Sequence, residues 1–169
     1  MAVESFRIEG LDGVAKTLRE LPPEIVSKHG GPVRKALRKA SKVLVDEAKA
    51  NIQKIVDEPN IDGQFVSTGL LKNNIITTRN NKMRDRGERY VVRIRTKKYP
   101  KKSPNEKTVT TVQVGRILEA GTEKLNPPKP WLRPAFDAKK TLVVPMFVTE
   151  LNKNLTRIVN KLAKQNGVA

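Results

Sequence analysis

Cysteine is absent from the 169 residues, and histidine occurs once. No disulfide, thiol nucleophile or zinc–thiolate site can form, and a transition-metal site would have to combine one imidazole with carboxylates. This composition suits synthesis in a reducing cytoplasm. Aromatic residues make up only 4% and the mean hydropathy is −0.51, so any core must be aliphatic and modest. No window approaches the roughly 18 apolar residues of a membrane span, and residues 1–10 lack the charged-then-apolar layout of a signal peptide. Acids are scarce as well: 17 Asp and Glu face 34 Lys and Arg, a formal net charge of +17. Such an excess favours an anionic partner and opposes close self-association until something neutralises it.

The length predicts one domain over residues 1–169. Val3, Phe6 and Ile8 are anchors for a short edge strand. Leu11, Val14, Leu18 and Leu21 recur at helical spacing and predict a short amphipathic helix over 12–21, stopped by Pro22-Pro23, with a further turn across Ile25 and Val26. After His29-Gly30-Gly31, Pro32 suits a first helical position. Val33, Leu37, Ala40, Val43, Leu44, Ala48, Ile52 and Ile55 then form one apolar stripe of a long helix, with Arg34, Lys35, Arg38, Lys39, Lys42 and Lys49 as a cationic face. Residues 57–63 read as a loop, and Thr68-Gly69 as a turn leading into a strand over 70–77.

Tyr90, Val92 and Ile94 alternate with Val91, Arg93 and Arg95, which predicts a half-buried strand with a cationic outer face. Thr108–Val114, rich in threonine and valine, predicts its antiparallel partner across a basic loop over 97–107. From Pro134 onward, Leu142, Val143, Met146, Phe147, Leu151, Leu155, Ile158 and Leu162 predict helix, bent or divided near Pro145, with residues 165–169 frayed. The expected fold class is α+β: a small antiparallel sheet packed against the long helix of the N-terminal half and a C-terminal helix bent near Pro145.

Nothing in this pattern assigns a catalytic, metal or cofactor residue. His29 beside two glycines reads as structural. Asp46 with Glu47, and Asp57 with Glu58, are adjacent pairs that point in different directions on a helix, so neither makes a paired-carboxylate site. Gly10-Leu11-Asp12-Gly13 and His29–Pro32 lack the lysine-serine context of a phosphate loop. Ser67, Thr68 and Thr122 have no base to activate them other than His29.

Two stretches carry more. Between Arg79 and Lys107 twelve basic residues face three acids. The run reads either as solvated surface or as a contact, through Arg93, Arg95, Lys97, Lys98, Lys101 and Lys102, with DNA or an acidic protein face. The second stretch, Gly115–Phe136, holds the only tryptophan and Pro127, Pro128, Pro130 and Pro134. Prolines at this density make a stiff, extended connector. Trp131 and Leu132 within it are suited to plug into a core or a neighbouring subunit. Glu119, followed by Gly121 and Thr122, can accept backbone N–H groups in a turn or an arginine from a partner.

Leu118-Glu119-Ala120-Gly121-Thr122 followed by Pro127-Pro128-Lys129-Pro130-Trp131-Leu132-Arg133-Pro134-Ala135-Phe136 resembles the signature of the tail-completion, or neck, proteins of lambda-like long-tailed bacteriophages. Thr68-Gly69-Leu70-Leu71-Lys72-Asn73-Asn74-Ile75 is similar to the threonine-glycine-leucine segment of that family, and Gly10-Leu11 to its opening. Ala120 stands where an aromatic is usual, and Trp131 where phenylalanine is usual. The resemblance implies a non-enzymatic virion subunit without cofactor, made in the host cytoplasm. It would form a ring, sixfold in the virion and monomeric when free, at the head-proximal end of the tail. Its partners would be the head connector, tail tube or terminator proteins and, non-specifically, genomic DNA, with no membrane. Glu119, Gly121, Thr122, Trp131, Leu132 and Arg133 would be assembly residues, and the cationic face would line the DNA lumen or meet acidic partners. The competing expectation is a nucleic-acid-binding protein outside the virion that uses the basic segment 79–107.

Overall fold

The computed structural model describes residues 31–58, 67–80, 88–101, 103–105, 107–123 and 127–165. The expected edge strand over 1–9, helix over 12–21 and His29 turn lie outside them, as do most of the loop over 57–63 and all of the expected frayed end over 165–169 except Gln165, which is helical.

Helix α1 spans Gly31–Asp57, about 40 Å at 1.5 Å per residue. Ala40, Ala48 and Ile52 of the expected stripe are buried, but Ala36 and Val45 are buried too, while Leu37, Val43 and Leu44 are only half-covered. Two neighbours press on α1, and small side chains along the contact let them approach closely. Its principal neighbour is the helix in the chain's last third.

The C-terminal helix is a single element, Leu132–Gln165, that continues through Pro145. Proline removes one ladder hydrogen bond and crowds the preceding turn. Here Pro145 and Thr141, whose carbonyl loses its donor, are both exposed, so water can serve the freed oxygen. The helix runs antiparallel to α1. Ala36 and Ala40 pack with Phe147 and Leu151 at one end, and Val45, Ala48 and Ile52 share a core with Trp131 and Ala135 at the other. Lys39 pairs with Glu150, and Lys139 with Glu47 at 3.3 Å, along the seam.

Between these helices in sequence lie α2 (Leu70–Asn73), β1 (Ile75–Arg79), β2 (Tyr90–Ile94) and α3 (Thr111–Ala120); the C-terminal helix is therefore α4. Gly69, at φ 65°, supplies the left-handed residue that starts the single turn of α2. The sheet is antiparallel and two-stranded, with Ile75 opposite Ile94, Thr77 opposite Val92 and Arg79 opposite Tyr90. Ile75 is fully buried against α1, Leu71 and Trp131.

The expected hairpin between 90–95 and 108–114 is corrected here. The partner of β2 is β1, and Thr111–Ala120 is helical. Thr110 and Gln113 form a reciprocal capping box, which starts a helix despite the β-prone composition. Only one isolated bridge, Lys98 with Thr110, survives of the predicted pairing. It closes the base of the basic loop, where Tyr99 N–H donates to the Val109 carbonyl and Thr111 N–H to the Lys97 carbonyl, each at 2.9 Å. The α+β class, the long helix and the C-terminal helix stand as expected.

Candidate functional site

Glu119 lies in the last turn of α3, and its carboxylate faces the start of α4. One oxygen accepts the backbone N–H groups of Trp131 and Leu132, both at 2.8 Å, and the other accepts that of Arg133 at 3.0 Å. Amides at a helix start have no partner within the helix, and the helix dipole favours negative charge there. Glu119 therefore caps α4 from twelve or more residues away in sequence. Gly121, at φ 75°, ends α3 by donating to the Ile117 carbonyl at 2.8 Å, and Lys129 N–H donates to the Leu118 carbonyl at 2.9 Å. The proline-rich connector is thus tied at both ends. Lys129 also pairs with Glu58 just beyond α1.

The Trp131 indole is 3% exposed, and its ring N–H donates to the Gly115 carbonyl at 2.9 Å. A Cβ at Gly115 would meet the Ile94 Cδ1 atom at 2.3 Å, so that side-chain end would have to shift, whereas Trp131 Cζ2 at 3.5 Å would be in ordinary contact. Asn51 of α1 donates to the Trp131 carbonyl at 3.0 Å, so the residue joins α1, α3 and α4. Of the six residues singled out, Glu119 and Trp131 are engaged within the chain through their side chains, and Gly121, Leu132 and Arg133 through their backbone N–H groups. Thr122 and Arg133 are exposed, and Gly121 and Leu132 are half-covered. Ala120 is exposed at the end of α3.

Arg93 and Arg95 lie on the exposed face of β2 or just beyond it, and Lys97, Lys98 and Lys101 continue the same chain segment in solvent. Lys102 falls outside the described residues. Thr111 holds the base of this segment. Fully buried, its hydroxyl donates to the Arg95 carbonyl at 2.7 Å and accepts the Lys97 N–H at 3.0 Å. The cationic groups therefore project from a backbone fixed at its root.

Sequence reasoning missed Thr111 and also Glu88. Glu88 accepts two hydrogen bonds from Arg79, both at 2.6 Å, and one from Arg34 at 2.9 Å, tying β1 and α1 to the residue pair ahead of β2. Burial alone would raise its carboxyl pKa, but the hydrogen bonds and charges of Arg79 and Arg34 together carry it below the usual range. Glu150 is lowered by the hydrogen bond from Lys39, which outweighs its own desolvation. A signal for Glu88 was present: it is one of three acids among twelve bases over 79–107. Among the described residues no cluster of acids or histidine could hold a metal ion.

Residues 12–121 match the family described as "Bacteriophage HK97-gp10, putative tail-component". The chain belongs to this family. The matched span takes in α1, the sheet and α3 and ends at Gly121, so Glu119 lies inside it whereas Trp131 and α4 lie beyond it. No curated protein and no solved structure matches the chain. Membership makes it a component of the phage tail, a structural protein located in the virion among other virion proteins. No described helix is long and apolar enough to cross a membrane.

Proposed function

We propose that this tail component is a non-enzymatic tail-completion subunit. It assembles as a ring, sixfold in the virion, at the head-proximal end of the tail and joins tail to head around the DNA channel. The observation that carries this is the rooted segment Arg93–Lys101, which leaves its basic side chains in solvent on a backbone anchored by Thr111. In a tail component, such a face fits either the phosphates of DNA in the lumen or acidic surfaces of the head connector, tail tube or terminator. Gly121, Thr122, Leu132 and Arg133 surround the tied connector and form the assembly surface, while Glu119 and Trp131 hold its shape. A charge of +17 keeps free subunits apart until partners or salt screen it, so the isolated protein is a monomer.

Electron microscopy of virions decorated with an antibody against this chain tests the location. Label at the head–tail junction is expected; unlabelled particles with a demonstrably accessible epitope would remove the junction role. The same cationic segment favours one second function, a nucleic-acid-binding protein acting outside the virion. That protein would bind DNA tightly when purified, with a steep loss of affinity as salt rises, whereas a channel subunit binds weakly as a monomer.

A further inference from the structure

A groove of about 800 Å³ opens between the C-terminal end of α1, α2 and the base of the basic loop. Ile52, Ile55, Leu71, Val114 and Leu118 contribute apolar floor. Val56 and Val109, 39% and 41% exposed, also line it and are among the most exposed large apolar residues described. Lys72, Lys101 and Lys107 rim it, and no acid is among the described lining residues. Apolar surface left uncovered beside a ring of cations fits a segment that is apolar and acidic.

The chain itself has such a segment. Residues 1–30 carry four basic and five acidic side chains, and the remaining residues thirty and twelve. The imbalance is sharpest at the start, where Glu4, Glu9 and Asp12 accompany a single Arg7, interleaved with Val3, Phe6, Ile8 and Leu11. These first residues precede the family-matched span, which begins at residue 12. We propose that the groove receives residues 3–11 of a second copy of the chain, with Phe6 and Ile8 on the apolar floor and Glu4 and Glu9 against the lysines. This rests on ring assembly, for which it supplies a subunit contact. Residues 12–30 are long enough to bridge the distance of about 30–35 Å from Gly31 to Ile52 within one chain; the segment is assigned to a neighbour because a ring needs such a contact between subunits, and the dilute double variant below separates the two. Docking would also offset part of the repulsion between copies of a +17 protein.

The absence of native cysteine allows a direct test in the full chain. One preparation carries Ser5→Cys and a second, of distinguishable mass, carries Val109→Cys; the two are mixed in low-salt buffer under mild oxidation. A disulfide-linked heterodimer is expected, and it should be lost when Asn152→Cys on α4 replaces Val109→Cys. Lys101→Glu with Lys107→Glu should abolish it, and Glu4→Lys with Glu9→Lys in the other copy should restore it. No heterodimer above the Asn152→Cys control, or an intrachain link in the dilute Ser5→Cys/Val109→Cys double variant, would overturn the proposal. Antibody labelling of virions separates the two ideas. Junction label without linkage sinks the groove contact alone, while linkage in a protein absent from the junction sinks the ring at the neck alone.

Discussion

The α3–α4 junction and the basic loop lie on either side of α3, yet they spend their side chains in opposite ways. At the junction the most distinctive residues are consumed inside the chain. Glu119 serves three amides and Trp131 fills the core against Gly115. In the loop, among the described residues, Thr111 and the Tyr99–Val109 bond hold the root, while Lys97, Lys98, Lys101 and Lys107 remain in solvent. Glu119 and Trp131 build the connector, and the proposed assembly surface falls on the residues around it.

Substitutions should separate the two regions sharply. Trp131→Ala removes a buried ring and its hydrogen bond and should cost about 3–5 kcal/mol, read from urea unfolding by circular dichroism. A cost no greater than that of Val159→Ala, at a site 52% exposed, would erase the contrast. Glu119→Ala should cost about 1–3 kcal/mol by leaving helix-start amides without their acceptor, with Glu119→Gln intermediate. Fluorescence of Trp131, the only tryptophan, reports this unfolding directly.

The Arg34–Glu88–Arg79 cluster gives a pH test. Because the folded-state pKa of Glu88 is lowered, its stabilising contribution is complete above the usual glutamate value of 4.5 and is lost as pH falls through the folded value. Wild type should exceed Glu88→Gln in urea midpoint at neutral pH, and the gap should close in acid. A gap that persists at low pH would show that charge at Glu88 is not the source. The smallest stability effect belongs to the loop. Lys97→Glu, Lys98→Glu and Lys101→Glu together should change unfolding free energy by no more than about 0.5 kcal/mol, yet lower the yield of joined particles. Unchanged particle yield would show the loop charges to be solvated surface only.

Much of the fold was legible. The stripe from Val33 to Ile55 announced α1, and the alternation of Tyr90–Arg95 announced β2 with its cationic outer face, because both patterns repeat within a few residues. The start of the helix Thr111–Ala120 falls in the stretch 108–114 expected as strand, since its threonines and valines are β-prone and the Thr110–Gln113 cap occupies only two positions. At the candidate site, the prolines announced the non-helical residues 127–131, although Leu132–Pro134 already belong to α4, and the capacity of Glu119 to accept backbone N–H groups was readable. Which donors Glu119 would meet was not.

By itself the sequence determined what depends on residue type and short spacing: no thiol chemistry, a strongly cationic chain, a long first described helix and a proline-rich break before α4. Only the tertiary structure decided the pairing of β2 with β1, the burial of Trp131 in its own chain and the joining of Glu88 to Arg34 across 54 residues. The physical reason is range. Helical and strand periods are local preferences, whereas a strand's partner or a carboxylate's donor depends on which distant segments the packing of α1 against α4 brings within hydrogen-bond reach.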